Sequence, residues 1–228
     1  MMMPATPFRP LIGLLTLVIA VAVAIEWAQA DLWLADRIFE VQGGRWVLRE
    51  HWLLEDLLHS AGRTLSALCA LVVLLVAGYR GWRYSFKAAL PEAVLFASLI
   101  TSTALVSALK RVTQVGCPWD YQRYGGSHSY HPIFSPRAAT DLALNCFPGG
   151  HASAGYAWVA LYAYALYRQP RWAMAGLGVG LGMGIIFDVT QQLRGAHFIS
   201  HGLWSLIIAL SVTLFAVHRL DRTHGALT

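Results

Sequence analysis

The sequence is short of charged residues, which make up 13% of its 228 residues, whereas 57% are hydrophobic. Soluble domains carry about 25% charged residues, so this composition excludes an ordinary soluble domain and indicates a membrane protein. Nine Trp and nine Tyr agree with this interpretation, because both residue types favour the membrane interface. The sequence also lacks an internal repeat, a low-complexity tract and a separate soluble domain, so we expect one integral membrane domain over residues 1–228.

The sequence gives little support for a cleavable signal peptide or for a nucleic-acid partner. The first apolar run, residues 11–28, is followed only by Ala28-Gln29-Ala30, which is a weak cleavage site, so we expect no cleavage. The formal net charge is +5. In a polytopic membrane protein such an excess usually comes from Lys and Arg in cytoplasmic loops, and we therefore expect no binding to nucleic acid.

Six apolar runs are long enough to cross the bilayer, since a hydrocarbon core of about 30 Å needs about 20 helical residues. The sequence therefore predicts an all-α, polytopic bundle of six transmembrane helices. Residues 46–58 mix Trp and Leu with charged residues, a pattern that predicts an interfacial amphipathic helix in the first outward loop. The six predicted spans lie near residues 10–29, 61–79, 89–109, 152–168, 172–190 and 202–218.

Basic residues are concentrated in alternate connections between these spans. The positive-inside rule assigns such connections to the cytoplasm, and it therefore predicts cytoplasmic N- and C-termini. It places residues 30–60, 110–151 and 191–201 together on the opposite, outward face. The basic residues on which this topology depends are Arg9, Arg80, Arg83, Lys87, Arg168, Arg171, Arg219 and Arg222.

Two histidine-containing segments fall on the outward face. Residues 146–151 read Cys-Phe-Pro-Gly-Gly-His, and residues 194–201 read Arg-Gly-Ala-His-Phe-Ile-Ser-His. Histidine serves as acid, base or nucleophile near neutral pH. Two glycines before a helix let backbone amides approach an anion, and the cationic donors of the upstream loop suit phosphate. Facing one another, the segments would form a phosphate-processing site, with cations from Lys110, Arg111, Arg123 and Arg137.

Residues 110–118, 148–151 and 194–201 resemble the three signature segments of the type 2 phosphatidic acid phosphatase superfamily. That family has the patterns K-x6-R-P, P-S-G-H and S-R-x5-H-x3-D in a six-helix membrane core. The resemblance extends from about residue 90 to 215 and implies a family-like core over about 61–218. Residues 1–60 would then contain the N-terminal helix and the interfacial helix.

The resemblance implies a phosphatase of the bacterial inner membrane whose active site faces the periplasm. It would hydrolyse a lipid phosphomonoester or pyrophosphate, surrounded by membrane lipids and without a metal or other cofactor. Two alternatives remain: a lipid phosphotransferase that uses the same site, and a non-enzymatic membrane transporter or scaffold. The sequence predicts neither the individual lipid nor the oligomeric state.

The resemblance also implies a role for each matching histidine. His197 would correspond to the nucleophile that forms a phosphohistidine. His151 would correspond to the acid that protonates the leaving alkoxide and later helps to activate water. His201 stands where the family has an orienting aspartate. A second register aligns Arg194 with the arginine of the third motif and makes His201 the nucleophile. Arg194 precedes His201 by seven residues, whereas the family motif has a separation of six.

Several motif positions depart from the family pattern. Cys117 replaces the first-segment arginine, and we expect Arg123, with Arg137 behind it, to supply that charge. Gln191 stands at the third-segment arginine, and we expect Arg194, one helical turn later, to take its place. With Gly149 in place of the family serine, the predicted phosphate-binding residues are Lys110, Arg123, Arg194, Gly149 and Gly150.

Cys117 and Cys146 both lie in the predicted outward loop. In an oxidising compartment they would form a disulfide that ties the first motif to the second, with two free thiols as the alternative. A zinc site needs three or four ligands, and no Asp or Glu lies close to His197 and His201 in the sequence, so we expect no metal.

The sequence also leads to expectations for Asp188 and for two further histidines. Asp188 lies inside the fifth span, where a charge is costly, and it is expected either to pair with Arg194 or to orient His197. His51 and His59 are interpreted as interfacial residues.

Overall fold

The long apolar runs fold into helices, which satisfy every backbone hydrogen bond within one segment, as a lipid environment requires. The computed structural model of the protein describes residues 7–133, 135 and 144–225, and within them the regular secondary structure is helical. Arg137 lies outside the described residues. The α-helices of the described part are α1 Arg9–Trp27, α2 Ala30–Val41, α3 Gly62–Arg83, α4 Phe86–Thr113, α5 Gly150–Tyr156, α6 Leu161–Arg168, α7 Ala173–Leu193 and α8 Ile199–Gly225.

Shorter helical elements join these helices. Leu53–Ala61 is a π-helical stretch that continues directly into α3. Ala157–Ala160 is a 3-10 turn that joins α5 to α6. Further 3-10 turns lie at Val47–Glu50, Pro118–Asp120, Gln122–Tyr124 and Pro170–Trp172.

Five helical segments of the described chain are long and apolar enough to cross a membrane. The sixth predicted span, near residues 152–168, is helical throughout but changes from α5 to a 3-10 turn and then to α6. The change interrupts the regular helix, so neither half has the length of a spanning helix. The count of six spans therefore stays a prediction. The five candidate segments are Arg9–Trp27, Leu53–Arg83, Phe86–Asp120, Pro170–Leu193 and Ile199–Arg222.

Glycines of α5 and α7 allow α7 to lie directly against the α5–α6 segment. A Cβ atom added at Gly155 would lie only 2.7 Å from the backbone nitrogen of Gly184. Gly180 likewise leaves no room for a side chain against the backbone of Val159. The absence of side chains lets two backbones approach closely, which is a common way for helices to associate in lipid.

The main hydrophobic core lies where α1, α6, α7 and α8 meet, around Leu11, Val159 and Leu210. In contrast, α3 exposes a row of large apolar side chains, including Leu68 and Leu75. Isolated exposed apolar residues are normal, but a whole apolar helix face indicates contact with lipid. The core therefore holds the helices together, and the outer face of α3 suits the hydrocarbon of a bilayer.

A buried ion-pair cluster ties the helices together at the end of the bundle opposite the two histidine segments. Glu92 of α4 accepts hydrogen bonds from Nε and Nη2 of Arg168, at 3.0 and 2.5 Å. Nε of Arg80 lies 3.5 Å from the same carboxylate. The cluster satisfies a carboxylate that would otherwise be costly to bury, and it joins three of the predicted cytoplasmic helix ends.

The predicted first outward loop differs from the expected single helix over 46–58. A 3-10 turn at Val47–Glu50 is separated from the π-helical stretch by His51, whose backbone is extended. The loop also contains α2, an amphipathic helix that the sequence reasoning missed. Whether these elements lie in the membrane interface stays a prediction.

Candidate active site

A cavity of about 480 Å³ lies between α3, α4 and α5 on the histidine side of the molecule. Its polar lining includes the hydroxyl groups of Ser66, Thr103, Ser107 and Ser153 and six larger polar side chains: His59, Arg63, Lys110, His151, Gln191 and His197. Its apolar lining comes mainly from Ala67, Ala70, Leu99, Ile100, Ala157 and Trp158. Ten helical residues separate Lys110 from Ile100, so the apolar part extends about 15 Å deeper along α4.

The two histidines of the third segment are adjacent but not equivalent. The Nδ1 atoms of His197, in the loop before α8, and of His201, in the first turn of α8, lie 3.2 Å apart. His197 lines the cavity, whereas His201 is fully buried behind it and does not. Because Nδ1 of His197 faces His201, Nε2 is its ring nitrogen that remains for a ligand.

Backbone hydrogen bonds fix the loop that carries His197. The carbonyl oxygen of Gln191 accepts hydrogen bonds from the amides of Ala196 and His197, at 2.9 and 3.3 Å. Gly195 has a φ of +71° and lies against the indole ring of Trp46, with no space for a Cβ atom. Both its conformation and its packing therefore require glycine.

The start of α8 is fixed from a distance by α2. The buried carboxylate of Asp31 accepts hydrogen bonds from the backbone amide and the hydroxyl of Ser200, at 3.0 and 2.5 Å. It thereby satisfies one of the free amides at the helix N-terminus. Burial raises the pKa of Asp31 to about 6, although the hydrogen bonds from Ser200 oppose this shift.

His151 is enclosed by two rings. It stacks on Phe187 at a centroid distance of 4.3 Å and meets His59 edge to face at 4.6 Å. Nδ1 of His59 lies 3.4 Å from a carboxylate oxygen of Glu55. His59 also lines the cavity, a position that its interpretation as an interfacial residue did not include.

The segment before His151 is joined to the end of α4. Cys117 and Cys146 form a disulfide with a Cα–Cα distance of 5.2 Å. The amide of Cys146 donates to the carbonyl of Val115 at 2.8 Å, and the hydroxyl of Thr113 donates to that of Phe147 at 2.5 Å. These contacts bring the first and second motif segments side by side.

Of the two predicted glycines, only Gly150 lines the cavity. A Cβ atom on Gly150 would lie 3.1 Å from Nζ of Lys110, so the missing side chain gives the ammonium its place. Gly149 instead donates its amide to the carbonyl of His201 at 2.9 Å. Its expected role in binding phosphate is not met, because its donor is already used to hold the second segment against the third.

Arg123 does not reach the cavity. Its guanidinium donates from Nε and Nη2 to both carboxylate oxygens of Asp36, at 2.7 and 2.6 Å. This pairing lowers the pKa of Asp36. The expectation that Arg123 replaces the missing first-motif arginine is therefore wrong. The cavity contains Arg63 instead, and among the described residues neither Arg63 nor Lys110 has an anionic partner.

Arg194 also lies outside the cavity lining. It forms an ion pair with Glu55, donates to the backbone carbonyl of Arg49 at 2.9 Å, and donates to Oε1 of Gln191 at 3.1 Å. Direct binding of phosphate by Arg194 is thus not supported by the geometry. It contacts the cavity residue Gln191 directly, and its ion-pair partner Glu55 lies beside the cavity residue His59.

Asp188 contacts neither of its two expected partners. Its carboxylate accepts a hydrogen bond from Nε2 of Gln192 at 3.0 Å and lies against Gly202 of α8. Among the described residues it has no bond with Arg194 or His197. The expectation that Asp188 orients the nucleophile is therefore wrong, because the side chain is directed to the interface of α7 with α8.

The electrostatic environment favours a neutral His197. Burial, and then the nearby His201 and Lys110, hold the pKa of His197 well below its usual value of 6.5. A neutral imidazole retains the lone pair that a nucleophile needs.

In the described part of the chain, possible metal ligands come together at a place away from these histidines. Metal-ligand atoms of three residues come within 4.8 Å of one another at Cys117, Asp120 and Cys146. Both sulfur atoms there belong to the disulfide, and Asp120 Oδ2 accepts the Cys117 amide at 2.8 Å. The group acts as a structural cap of the loop.

The helical architecture, the five candidate spans and the cationic, histidine-lined cavity define the class of an integral membrane protein with a site suited to a phosphate group. The family model of the PAP2 superfamily matches residues 91–224, more than half of the chain, and the protein belongs to this superfamily. No curated protein and no solved structure matches the chain.

The family match contains Lys110, His151 and His197 but not His59 or Arg63. His59 and Arg63 are four residues apart at the start of the second predicted span, a spacing that puts them on one helix face. That spacing was the available signal for their shared position. It could not show that this face meets His151.

Proposed function

We propose that the protein is an integral membrane lipid phosphatase that hydrolyses a phosphomonoester or pyrophosphate through a phosphohistidine at His197. One observation carries the proposal: a single cavity joins His197, His151 and Lys110 to an apolar channel between α3 and α4. The polar part suits a phosphate group, and the apolar part suits the chain of a lipid. A phosphatase is the activity that superfamily membership supports.

In the first step Nε2 of His197 attacks phosphorus. The N–P bond forms while the bond from phosphorus to the leaving oxygen breaks, and His151 gives a proton to that oxygen. Burial lowers the pKa of His151 to about 3, so in this proposal the ring takes up its proton together with the negatively charged phosphate ester. In the second step neutral His151 takes a proton from water as the water oxygen attacks phosphorus. The N–P bond then breaks, inorganic phosphate leaves, and both histidines return to their starting states.

His201 orients the nucleophile in this proposal. A neutral His201 accepts a hydrogen bond from Nδ1–H of His197, which fixes the tautomer that leaves Nε2 unprotonated. This is the role that the aspartate of the family motif would play. The ring of His201 carries no negative charge, so it offsets the positive charge of the phosphorylated imidazole less well than a carboxylate would.

Lys110 and Arg63 supply the positive charge that stabilises the transferring phosphoryl group. Both line the cavity, and they approach it from different helices, α4 and α3. Arg63 takes the function that we expected of Arg123. Its planar guanidinium suits the oxygens of a phosphate better than a point charge does.

The lipid would enter sideways from the bilayer. The apolar lining of the cavity belongs to α3 and α4, and the outer face of α3 is apolar and exposed. The phosphate would remain at the membrane surface beside Lys110. The loop charges favour a site on the periplasmic face of a bacterial inner membrane, with six spans and cytoplasmic termini.

The test uses the full chain purified in detergent with EDTA. We expect phosphate release from phosphatidic acid or a polyprenyl pyrophosphate, and loss of that activity in His197→Ala. Acid-labile, base-stable phosphate should be trapped on the wild-type protein after rapid quenching but not on His197→Ala. The matched control is His51→Ala, because His51 is exposed and outside the cavity. Full activity of His197→Ala, or no release from any lipid phosphate, would overturn the proposal.

A further inference from the structure

Gln191 holds a distinctive position in the cavity. It stands at the end of α7, at the position where the family motif has an arginine. Its side chain is 3% exposed and lines the cavity together with His197. From the sequence, we expected Gln191 to have lost the charge of the motif arginine and Arg194 to supply that charge instead.

Arg194 fixes the orientation of the Gln191 amide. Nη1 of Arg194 donates to Oε1 of Gln191 at 3.1 Å. A guanidinium has donors and no acceptor, so the oxygen of the amide must face Arg194 and the NH2 group must point away from it. Nε2 of Gln191 is buried and has no hydrogen-bond partner in the part of the chain that the structure describes.

An unsatisfied buried donor is uncommon and calls for an explanation in each case. The Nε2 group belongs to a side chain that lines a cationic cavity, so an anionic ligand would satisfy it. Arg194 cannot take that position itself, since Glu55 and the carbonyl of Arg49 hold its guanidinium.

The backbone of Gln191 joins this donor to the nucleophile. Its carbonyl oxygen accepts the amide of His197 at 3.3 Å, and that of Ala196 at 2.9 Å. The side-chain amide and the His197 ring are therefore carried by one hydrogen-bonded turn. Both side chains line the same cavity, in which a phosphoryl group attacked by His197 would lie.

We propose that the Nε2 amide of Gln191 donates a hydrogen bond to a non-bridging phosphate oxygen during attack by His197, with Arg194 as the residue that positions it. This inference rests on the proposed phosphatase function. Gln191 is then a neutral replacement for the arginine of the family motif, and the charge at the phosphate comes from Lys110 and Arg63.

The first test is Gln191→Glu, which keeps the shape of the side chain and replaces the donor by a carboxylate. Removal of one donor to a developing oxyanion costs about 10²- to 10³-fold in kcat. We expect a loss of that order in kcat/KM for lipid phosphate, together with at least tenfold weaker inhibition by orthovanadate. Gln169→Glu is the matched control, because Gln169 is exposed at the opposite end of the bundle, and it should leave both values unchanged.

Gln191→Met, which has nearly the same shape and no donor, serves if the Gln191→Glu protein does not fold. The positioning role of Arg194 has its own readout. Arg194→Gln should reduce kcat/KM in the wild-type background and have little further effect when combined with Gln191→Met. Additive losses would show that Arg194 does not act through Gln191.

Activity and vanadate inhibition within threefold of wild type in a folded Gln191 variant would overturn the inference. If His197→Ala is inactive in the same assay, this failure concerns Gln191 alone and the proposed phosphatase function stands. If His197→Ala remains active as well, the proposed function itself fails.

Discussion

The Nδ1 atoms of His197 and His201 lie 3.2 Å apart, and of these two rings the one that lines the cavity is His197. This relationship favours His197 over His201 as the nucleophile, since a ring that is fully buried behind another cannot reach phosphorus. It also gives His201 a position from which it can fix the tautomer of its neighbour.

The two registers of the third motif lead to opposite results for single substitutions. We expect His197→Ala to lower kcat by at least about 10⁴-fold, as loss of a nucleophile does in other enzymes. His201→Ala should lower it less and still allow phosphohistidine to accumulate after rapid quenching. His201→Asp should retain more activity than His201→Ala, because a carboxylate can accept the same hydrogen bond. Trapped phosphate in His197→Ala but not in His201→Ala would reverse the assignment.

The choice of phosphate-binding arginine can be tested with a matched pair. We expect Arg63→Gln to lower kcat/KM by about 10²-fold, because it removes a donor from the phosphoryl group. Arg123→Gln breaks the pair with Asp36 at the protein surface. It should cost no more than about 1 kcal/mol of unfolding free energy and leave kcat/KM unchanged. Phosphate release and thermal unfolding of the two variants measure both effects, and the opposite ranking would restore Arg123 to the site.

The pH dependence of the reaction follows from the lowered pKa of His197. The nucleophile must be neutral, and its pKa lies well below 6.5. As the pH falls, protonation of His197 is therefore delayed, and we expect this group to cause no loss of kcat/KM until the pH is well below 6.5. His201→Asp places a negative charge beside the ring, which raises the pKa of His197 and should move the acid limb to higher pH. An acid limb that stays in place would show that another group controls it.

The motif histidines could be predicted from the sequence because they stand at the ends of apolar runs. Loop charges place the ends at Lys110, His151 and His197 on one face, and a helical bundle leaves little freedom in how such ends meet. The ion pairs of Arg123 and Arg194 could not be predicted in this way. They depend on Asp36 and Glu55, which lie in the predicted first outward loop.

The elements of that loop carry weak patterns for a physical reason. A short helix such as α2 is stabilised mainly by its tertiary contacts rather than by its own propensity. The contact of Asp31 with Ser200 spans 169 residues of sequence and leaves no local signal. The interruption of the fourth apolar run has the same origin, since its 3-10 turn packs on the glycines of α7.

Gly195 directly precedes Ala196 and His197 in the loop that carries His197. We expect Gly195→Ala to destabilise the protein and to abolish most activity. A positive φ costs an L-residue about 1–2 kcal/mol, and a methyl group there would overlap the indole ring of Trp46, which must shift. Displacement of this loop moves the nucleophile away from the cavity, and a misplacement of about 1 Å can cost 10²-fold in rate.

Gly43→Ala is the matched control, because Gly43 has a similar φ of +78° and nothing within 4 Å of the added Cβ atom. It carries the conformational cost without the overlap, and it lies outside the cavity lining. We therefore expect Gly43→Ala to lower the unfolding temperature slightly and to keep full phosphate release. Equal losses of activity in the two variants would mean that the cost of the positive φ alone, and not the overlap with Trp46, accounts for the effect of Gly195→Ala.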